Sequence, residues 1–165
     1  MSAPAIQTHN LSIGYGTTFV QQSLTFTLSL GEMVCMLGQN GCGKSTLLRT
    51  LAGLIPPLSG NYQIVESTPT TDTAKQVALV LTERLSIEDT TVHDVVAMGR
   101  YPYTSFLGRL TDNDEQIISW SLDAVGLADT AHTFFNSHSD GEKQRVLIAM
   151  ALAQQTPVVL LDEPT

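Results

Sequence analysis

One short stretch of the chain has the residue types and spacing of a phosphate-binding loop: GQNGCGKST, from Gly38 to Thr46. It fits the pattern G-x-x-x-x-G-K-[ST], lying after an apolar run typical of a strand and before a helical pattern. Glycines let the backbone fold tightly so that several N–H groups point at one anion, and the start of a helix adds partial positive charge. Lys44 is predicted to reach the β- and γ-phosphates, as a catalytic and a binding residue, and Ser45 to ligate Mg²⁺. A glycine turn with an incidental lysine is the weaker alternative. The loop residues predicted to contact nucleotide are Gly38, Asn40, Gly41, Gly43, Lys44, Ser45 and Thr46.

A second candidate for phosphate chemistry lies near the end of the chain, in VVLLDEPT. An apolar strand that ends in paired acids is suited to hold Mg²⁺ at the carboxyl edge of a parallel sheet. Asp162 is predicted to contact the metal, and Glu163 to orient and deprotonate an attacking water as general base. A solvated acidic turn after a core strand is the alternative, and the phosphate loop makes it the weaker one.

Strand patterns flank these two motifs. The segment Leu24–Leu30 alternates apolar and polar residues, which predicts a strand with one covered face. The continuous apolar run MVCML, Met33–Leu37, predicts a strand buried on both faces. Further strands are predicted at Gln76–Leu81 and in the apolar run before Asp162. Strands alternating with helices predict an α/β fold with a largely parallel core sheet.

Four helices are predicted from apolar spacing and start signals. One follows the phosphate loop and ends at Pro56-Pro57. The others begin at Thr91, Thr111 and Ser139, each with an acidic residue three positions later, as a capping box requires. Ser139 in HSDGEKQR therefore indicates a helix start whose free N–H groups are able to serve a phosphate.

Composition narrows the class of protein. The 165 residues carry a formal net charge of −8 with no basic stripe, which argues against a nucleic-acid-binding protein. The two cysteines, Cys35 and Cys42, favour a reducing compartment over a disulfide framework. The first ten residues lack the pattern of a secretory signal peptide, and no run approaches the roughly 20 apolar residues of a membrane span.

The order of GQNGCGKST, SDGEKQRV and LLDEPT resembles the ATP-binding-cassette (ABC) ATPases over nearly the whole chain. The resemblance implies a P-loop NTPase fold with a RecA-like parallel core, an N-terminal antiparallel β portion and an inserted helical subdomain. The family signature L-S-G-G-Q or L-S-G-G-E is matched at Ser139, Gly141 and Glu142, while His138 and Asp140 depart from it. In the family, ATP is sandwiched between two cassettes, which implies that Ser139 and Gly141 contact nucleotide held by a second copy.

Two further positions follow from the resemblance. Tyr15 in GYG lies where the family places a ring that stacks on adenine. The family's Q-loop glutamine, which touches Mg²⁺ and water, falls here on Thr82, with Glu83 beside it. Thr82 is therefore the predicted metal contact, although either side chain is able to take this role.

TVHDVVAMGRYPYT and the following acidic helix resemble the importer branch for iron-siderophore, haem and cobalamin. This resemblance implies an ATPase with permease subunits, a second ATPase subunit as a homodimer and, indirectly, a substrate-binding protein, located in the cytoplasm on the inner face of the membrane. The implied parts are a β portion with the phosphate loop (about 1–81), a Q-loop and helical subdomain (about 82–140), and a signature helix with the acidic strand (about 141–165).

Because the acidic pair is followed only by Pro164 and Thr165, we expect a C-terminally truncated cassette that is poorly active alone. The alternatives are a cassette protein acting on DNA or ribosomes, which the charge disfavours, and a non-catalytic nucleotide-binding remnant. A GTPase-like switch is disfavoured because the sequence has no Asn-Lys-x-Asp motif.

Overall fold

The computed structural model of the chain describes residues 4–64, 72–81, 89–106 and 108–162. These residues form six strands and four α-helices. In chain order they are β1 (Pro4–Tyr15), β2 (Thr18–Leu24), β3 (Thr27–Ser29), α1 (Lys44–Leu51), β4 (Ser59–Ile64), β5 (Val77–Val80), α2 (Val92–Ala97), α3 (Asp112–Ala124), α4 (Asp140–Ala153) and β6 (Val158–Leu161). The mixed content confirms the predicted α/β class, with one antiparallel and one parallel sheet.

The chain divides into two compact units. The first lies within Met1–Leu79 and Pro157–Asp162, and the second within Val80–Thr156. The first unit therefore holds the antiparallel sheet, α1 and β6, whereas the second holds α2, α3 and α4. No helix of the described residues combines the length and the apolar character that crossing a bilayer requires.

Strand β1 is the centre of the antiparallel sheet in the first unit. It pairs with β2, β3 and β4, each time in the antiparallel direction. The predicted strand Leu24–Leu30 is divided at Thr25 and Phe26, which lie between the end of β2 and the start of β3. This connection still lies along β1, because the Thr8 backbone N–H donates to the Phe26 carbonyl over 2.9 Å and the Thr8 hydroxyl accepts from the Phe26 N–H over 3.0 Å.

The core of the first unit is formed by side chains of β1, α1, β5 and β6. β5 and β6 pair in the two-stranded parallel sheet, and the Val158 N–H donates to the Gln76 carbonyl over 3.3 Å. Burial of apolar area stabilises this core at roughly 25 cal/mol per Å². Its buried members are Ala5, Ile6, Leu11, Ile13, Leu47, Leu48, Leu51, Val77, Val158 and Leu160.

The prediction of a doubly buried strand at Met33–Leu37 is wrong. The whole segment is exposed without regular secondary structure, and the Met33 and Leu37 side chains are 100% and 91% exposed. Apolar content predicts a tendency to be buried, but a strand forms only where neighbouring strands satisfy its backbone groups. Among the residues that the structure describes, β5 and β6 pair with each other and no strand pairs with this segment.

Helix α1 follows the phosphate loop as predicted, but it is shorter than its apolar spacing indicates. It begins at Lys44 and ends at Leu51, before the two prolines are reached. Gly53 has a φ of +75°, a left-handed conformation that suits glycine and commonly ends helices. The glycine after the last apolar turn, and not Pro56, therefore terminates this helix.

The second unit consists mainly of three helices that pack on one another, and each begins with the predicted capping box. In each box the first residue's hydroxyl accepts from a backbone N–H three positions later, and the acid there bonds back to the first residue's N–H. The pairs are Thr91 with Asp94, Thr111 with Asp114, and Ser139 with Glu142. These caps fix where the predicted helices start.

Acid is expected to destabilise the second unit through Asp114. The Thr111 hydroxyl and N–H, which donate to Asp114, and the Arg100 guanidinium beside it outweigh burial and hold the pKa of this carboxyl below its ordinary value. A carboxyl with a lowered pKa in the folded state adds stability above its unfolded pKa, about 3.9, and loses it as the pH falls through the lower folded value. The free energy of unfolding should therefore drop below about pH 4.

The contribution of Asp114 is isolated by comparing urea unfolding of the wild type and Asp114→Asn by circular dichroism from about pH 5 down to 2. The variant should be less stable at pH 7 and lose less stability in acid, so that the two curves converge. Asp112→Asn, an exposed first-turn acid of the same helix, is the matched control. Parallel curves for the wild type and Asp114→Asn would contradict the assignment.

Candidate functional site

The phosphate loop lies in the first unit and leads directly into α1. Its last glycine, Gly43, is the residue before the helix and has a φ of +101°. A β-carbon on Gly43 would lie 2.6 Å from a methyl group of Val20, so strand β2 leaves no room for a side chain. Gly41, with a φ of +82°, is exposed and faces open space. The loop is therefore shaped by backbone conformations that glycine adopts at little cost.

Lys44 is the first residue of α1, and its side chain lies over the loop. Its Nζ donates to the Gly38 carbonyl over 3.0 Å and to the Gln39 carbonyl over 3.2 Å. The ammonium group thus sits at the loop that would enclose the phosphates, as the sequence predicts for this residue. Its position at the helix start adds to the positive potential of the helix N-terminus.

Ser45 and Asp162 meet although 117 residues separate them in the chain. The Ser45 hydroxyl donates to Asp162 Oδ1 over 2.8 Å, and Asp162 is only 7% exposed. One group comes from the first turn of α1 and the other from the end of β6. The fold therefore brings together the two groups for which the sequence predicts contact with Mg²⁺.

These oxygens fit a magnesium site. Mg²⁺ prefers hard oxygen ligands and is commonly bound by one or two protein groups together with substrate phosphates and water. The described residues contain no cluster of three or more histidine, cysteine or acidic side chains able to hold a metal alone. A hydroxyl and a buried carboxylate beside a phosphate loop suit a metal that arrives with a nucleotide.

Tyr15 ends β1 and pairs with Thr18 at the turn into β2. Its side chain is 52% exposed, so a large part of the ring is accessible to a flat apolar partner. The same strand β2 reaches the phosphate loop, because Gln21 Nε2 donates to the Cys42 carbonyl over 3.0 Å. This contact between hairpin and loop was not predicted, and the sequence holds no distinctive pattern at Gln21.

The predicted signature residues lie at the start of α4, in the second unit. Ser139 Oγ donates to Glu142 Oε2 over 2.7 Å, and the Ser139 N–H donates to the same oxygen over 2.9 Å. These bonds, with the Ser139 hydroxyl foremost, lower the pKa of Glu142. Gly141 is exposed, and a β-carbon there would meet nothing within 4 Å. The backbone at this helix start is thus open to an approaching ligand.

His138, where the family has leucine, is packed against its neighbours. Its side chain is 8% exposed, and its Nε2 lies 2.7 Å from the Thr133 hydroxyl. Its Nδ1 lies 3.6 Å from Glu142 Oε2. Because these contacts hold the chain just before α4, the histidine is explained by packing at the helix start. Asp140, the other departure from the signature, is exposed.

Three predicted site residues fall outside the described part of the chain. They are Thr82 and Glu83, the candidates for the Q-loop position, and Glu163, the predicted general base. Their roles remain predictions from the sequence.

Arg100, a buried arginine of the second unit, was not singled out by sequence reasoning. The sequence holds no distinctive signal for it, because its pairing with the capping acid Asp114 of the next helix appears only in the structure.

Comparison with known proteins gives consistent matches. A family model described as ABC transporter matches residues 21–165. The chain is 39% identical over 165 residues to the iron(3+)-hydroxamate import ATP-binding protein FhuC of Bacillus subtilis, covering 98% of this chain and 61% of that protein. It is 35% identical over 168 residues to the ferric enterobactin transport ATP-binding protein FepC of Escherichia coli, covering 99% and 62%.

A solved structure described as an inward-facing conformation of a metal-chelate type ABC transporter matches with a TM-score of 0.85 and 34% identity. The match covers 98% of this chain and 60% of that one. The chain thus spans about three fifths of the length of the proteins it matches.

Proposed function

Because the chain belongs to the ABC transporter family, we propose that it forms the ATP-binding and ATP-hydrolysing part of an importer for iron chelates, such as siderophores or haem, or for cobalamin. The similarity to FhuC and FepC supports the substrate class, since those proteins serve hydroxamate and enterobactin import. A cassette protein acting on nucleic acid is not favoured, because the net charge is −8. The alternative of a non-catalytic nucleotide-binding remnant is tested by measuring ATP hydrolysis.

The observation that carries the ATPase role is the 2.8 Å contact between Ser45 Oγ and Asp162 Oδ1 beside the phosphate loop. In the proposed site the loop N–H groups and the start of α1 bind the phosphates, while Lys44 reaches the β- and γ-phosphates. Ser45, Asp162 and Thr82 are the proposed magnesium contacts. Bound Mg²⁺ neutralises charge on the phosphates during phosphoryl transfer.

The remaining proposed roles are those of the general base, of the ring that stacks on adenine, and of the residues that contact a second copy of the chain. Glu163 is proposed to accept the proton of the attacking water, and Tyr15 to stack on adenine. Ser139 and Gly141 are proposed to contact ATP bound by a second copy of the chain, so that a homodimer completes two sites. We propose three functional parts: a β portion with the phosphate loop (about 1–81), a Q-loop and helical subdomain (about 82–140), and a signature helix with the acidic strand (about 141–165).

The importer role also predicts partners: permease subunits in the membrane and, through them, a substrate-binding protein, with this chain on the inner face of the cell membrane. An affinity-tagged chain recovered from gently solubilised membranes of its own organism should bring down a polytopic membrane protein. Recovery of ribosomal or DNA-bound partners instead would contradict the importer role.

Asp162→Asn is expected to remove the magnesium dependence of ATP binding. A hydrogen bond or ligand contact to a charged group is worth about 1.5–3 kcal/mol, and 1.4 kcal/mol is tenfold in affinity. In the wild type, a fluorescent ATP analogue should bind more tightly in Mg²⁺ than in EDTA. In the variant this gain should fall by roughly tenfold or more.

Asp123→Asn changes an exposed acid of α3 and serves as the matched control. Circular dichroism melts establish that each variant is folded. A full magnesium-dependent gain in Asp162→Asn would contradict the metal assignment, and no nucleotide binding by the folded wild type would contradict the ATPase role.

A further inference from the structure

Arg100 is a buried cation in the second unit that the proposed nucleotide chemistry does not use. It lies in the 3-10 turn Met98–Tyr103 after α2 and is only 4% exposed. Burying a guanidinium is costly unless its N–H groups are well paired, so its partners indicate what the residue stabilises.

The partners of Arg100 come from two helices. Its Nε donates to Asp114 Oδ1 over 2.8 Å, and its Nη1 donates to the Ala153 carbonyl over 2.7 Å and to Gln155 Oε1 over 3.2 Å. The guanidinium also lies 4.2 Å from the centre of the Tyr103 ring, a favourable cation–π distance. One side chain therefore joins the start of α3 to the end of α4.

Each of these contacts is made at a helix terminus. Asp114 is the capping acid of α3, and its second oxygen accepts from the N–H and hydroxyl of Thr111. Ala153 is the last residue of α4, where carbonyl groups lack helical partners and the helix dipole favours a positive charge. Arg100 thus satisfies the end of α4 with a group that is itself anchored to the cap of α3.

Gly99 holds the same turn against α4 independently. A β-carbon on Gly99 would lie 2.2 Å from the Met150 carbonyl oxygen and 3.2 Å from the Gln154 nitrogen. The backbone of the turn therefore lies directly on the last turn of α4, and only glycine permits this approach.

Apolar packing alone fixes the end of α4 weakly. The buried side chains of its last five residues are Ala149, Ala151 and Ala153, which are small and interdigitate little. Apolar contacts are also non-directional, whereas the hydrogen bonds of a planar guanidinium fix both distance and angle.

We propose that Arg100 is a positioning residue that sets the direction of α4, and thereby places Ser139 and Gly141 at the opposite end of that helix. The functional consequence rests on the proposed function, in which those two residues contact ATP bound by a second copy. A helix of 14 residues is about 21 Å long, so a rotation of about 10° at one end moves the other by roughly 3–4 Å. That displacement exceeds a hydrogen-bond length, so the signature contact would be lost.

The first experiment measures the direction of α4 without nucleotide. Spin labels at exposed positions Gln116 on α3 and Asp140 on α4 are placed in a chain whose Cys35 and Cys42 are replaced by serine. Arg100→Gln should broaden or shift the distance distribution by several ångström. Arg100→Lys, which keeps the charge but not the planar fork, should give an intermediate result.

Two controls separate positioning from a general loss of stability. Arg109→Gln removes an exposed arginine of the same unit and should leave the distances unchanged. Ile118→Val destabilises the fully buried face of α3 without touching Arg100, and should lower the urea midpoint but keep the distance distribution. An Arg100→Gln distribution that coincides with the wild type, or a change of equal size in Ile118→Val, overturns the proposal.

The second experiment measures the consequence for a second copy. In a Glu163→Gln background that slows hydrolysis, ATP-dependent self-association by sedimentation should weaken about tenfold in Arg100→Gln and recover partly in Arg100→Lys. Affinity of the single chain for a fluorescent ATP analogue should stay within about twofold, since the phosphate loop lies in the other unit.

Failure of the proposed function and failure of the inference about Arg100 give different results. A chain with intact Arg100 that does not associate in ATP contradicts the proposed function, and the distance measurement still decides whether Arg100 positions α4. Association that is equally strong with and without Arg100 overturns the functional half of the inference.

Discussion

Replacing Lys44 by alanine is expected to lower the affinity for ATP by roughly 10- to 150-fold. The range follows from the value of hydrogen bonds to charged groups, about 1.5–3 kcal/mol, and from 1.4 kcal/mol per tenfold in affinity. Nζ lies 3.0 Å from the Gly38 carbonyl and 3.2 Å from that of Gln39, so the charge is already at the loop that receives the phosphates. Titration with a fluorescent ATP analogue measures the loss.

The matched control for this change is Lys75→Ala. Lys75 lies in the same unit and makes a surface ion pair with Asp72 at 3.8 Å, an interaction worth little. Its removal should leave ATP affinity and the melting temperature nearly unchanged. Equal affinities for Lys44→Ala and Lys75→Ala would show that the loop does not bind nucleotide in the proposed way.

Glu163→Gln is expected to lower the rate of ATP hydrolysis by about 10²–10⁴-fold while ATP binding is retained. The amide keeps the size of the side chain but cannot accept the proton of the attacking water, and general-base catalysis is typically worth this factor. In the sequence Glu163 directly follows Asp162, the proposed metal contact whose carboxylate accepts from Ser45 over 2.8 Å.

Phosphate release in a single turnover, at saturating Mg-ATP, measures this effect. Glu115→Gln, at an exposed acid of α3 that pairs with His93, is the control and should hydrolyse at the wild-type rate. Unchanged hydrolysis in Glu163→Gln would contradict the general-base role. Absence of hydrolysis in a wild type that binds ATP would favour the non-catalytic remnant.

The local parts of the fold were largely predictable from the sequence. The caps at Thr91, Thr111 and Ser139 depend on residues three positions apart, and all three form as predicted. The phosphate loop is equally local, because glycine spacing and the following helix determine its shape. Ser45 and Asp162 were each predicted to contact Mg²⁺ from motifs of known chemistry, but the hydrogen bond between them was not predicted.

Features that depend on distant partners were not predictable from local pattern. Met33–Leu37 has the composition of a buried strand, yet burial requires neighbouring strands that a local pattern does not specify. Arg100 resembles any helix-end arginine in the sequence, and its importance appears only when Asp114 and Ala153 lie beside it. Strand Leu24–Leu30 is divided because the pairing with β1 is irregular at Thr25 and Phe26, which the alternation of the segment does not indicate.

The path of the chain through the first unit has a consequence for biosynthesis. The four strands of the antiparallel sheet are complete at Ile64, whereas β6 and Asp162 follow the helices of the second unit. At about 5–20 residues per second, the 117 residues between Ser45 and Asp162 take roughly 6–25 s to translate. During that interval the nascent phosphate loop exists without its carboxylate. The hydrogen bond between Ser45 and Asp162 therefore forms only after the helices of the second unit have been synthesised, so the proposed magnesium site is completed later than the loop itself.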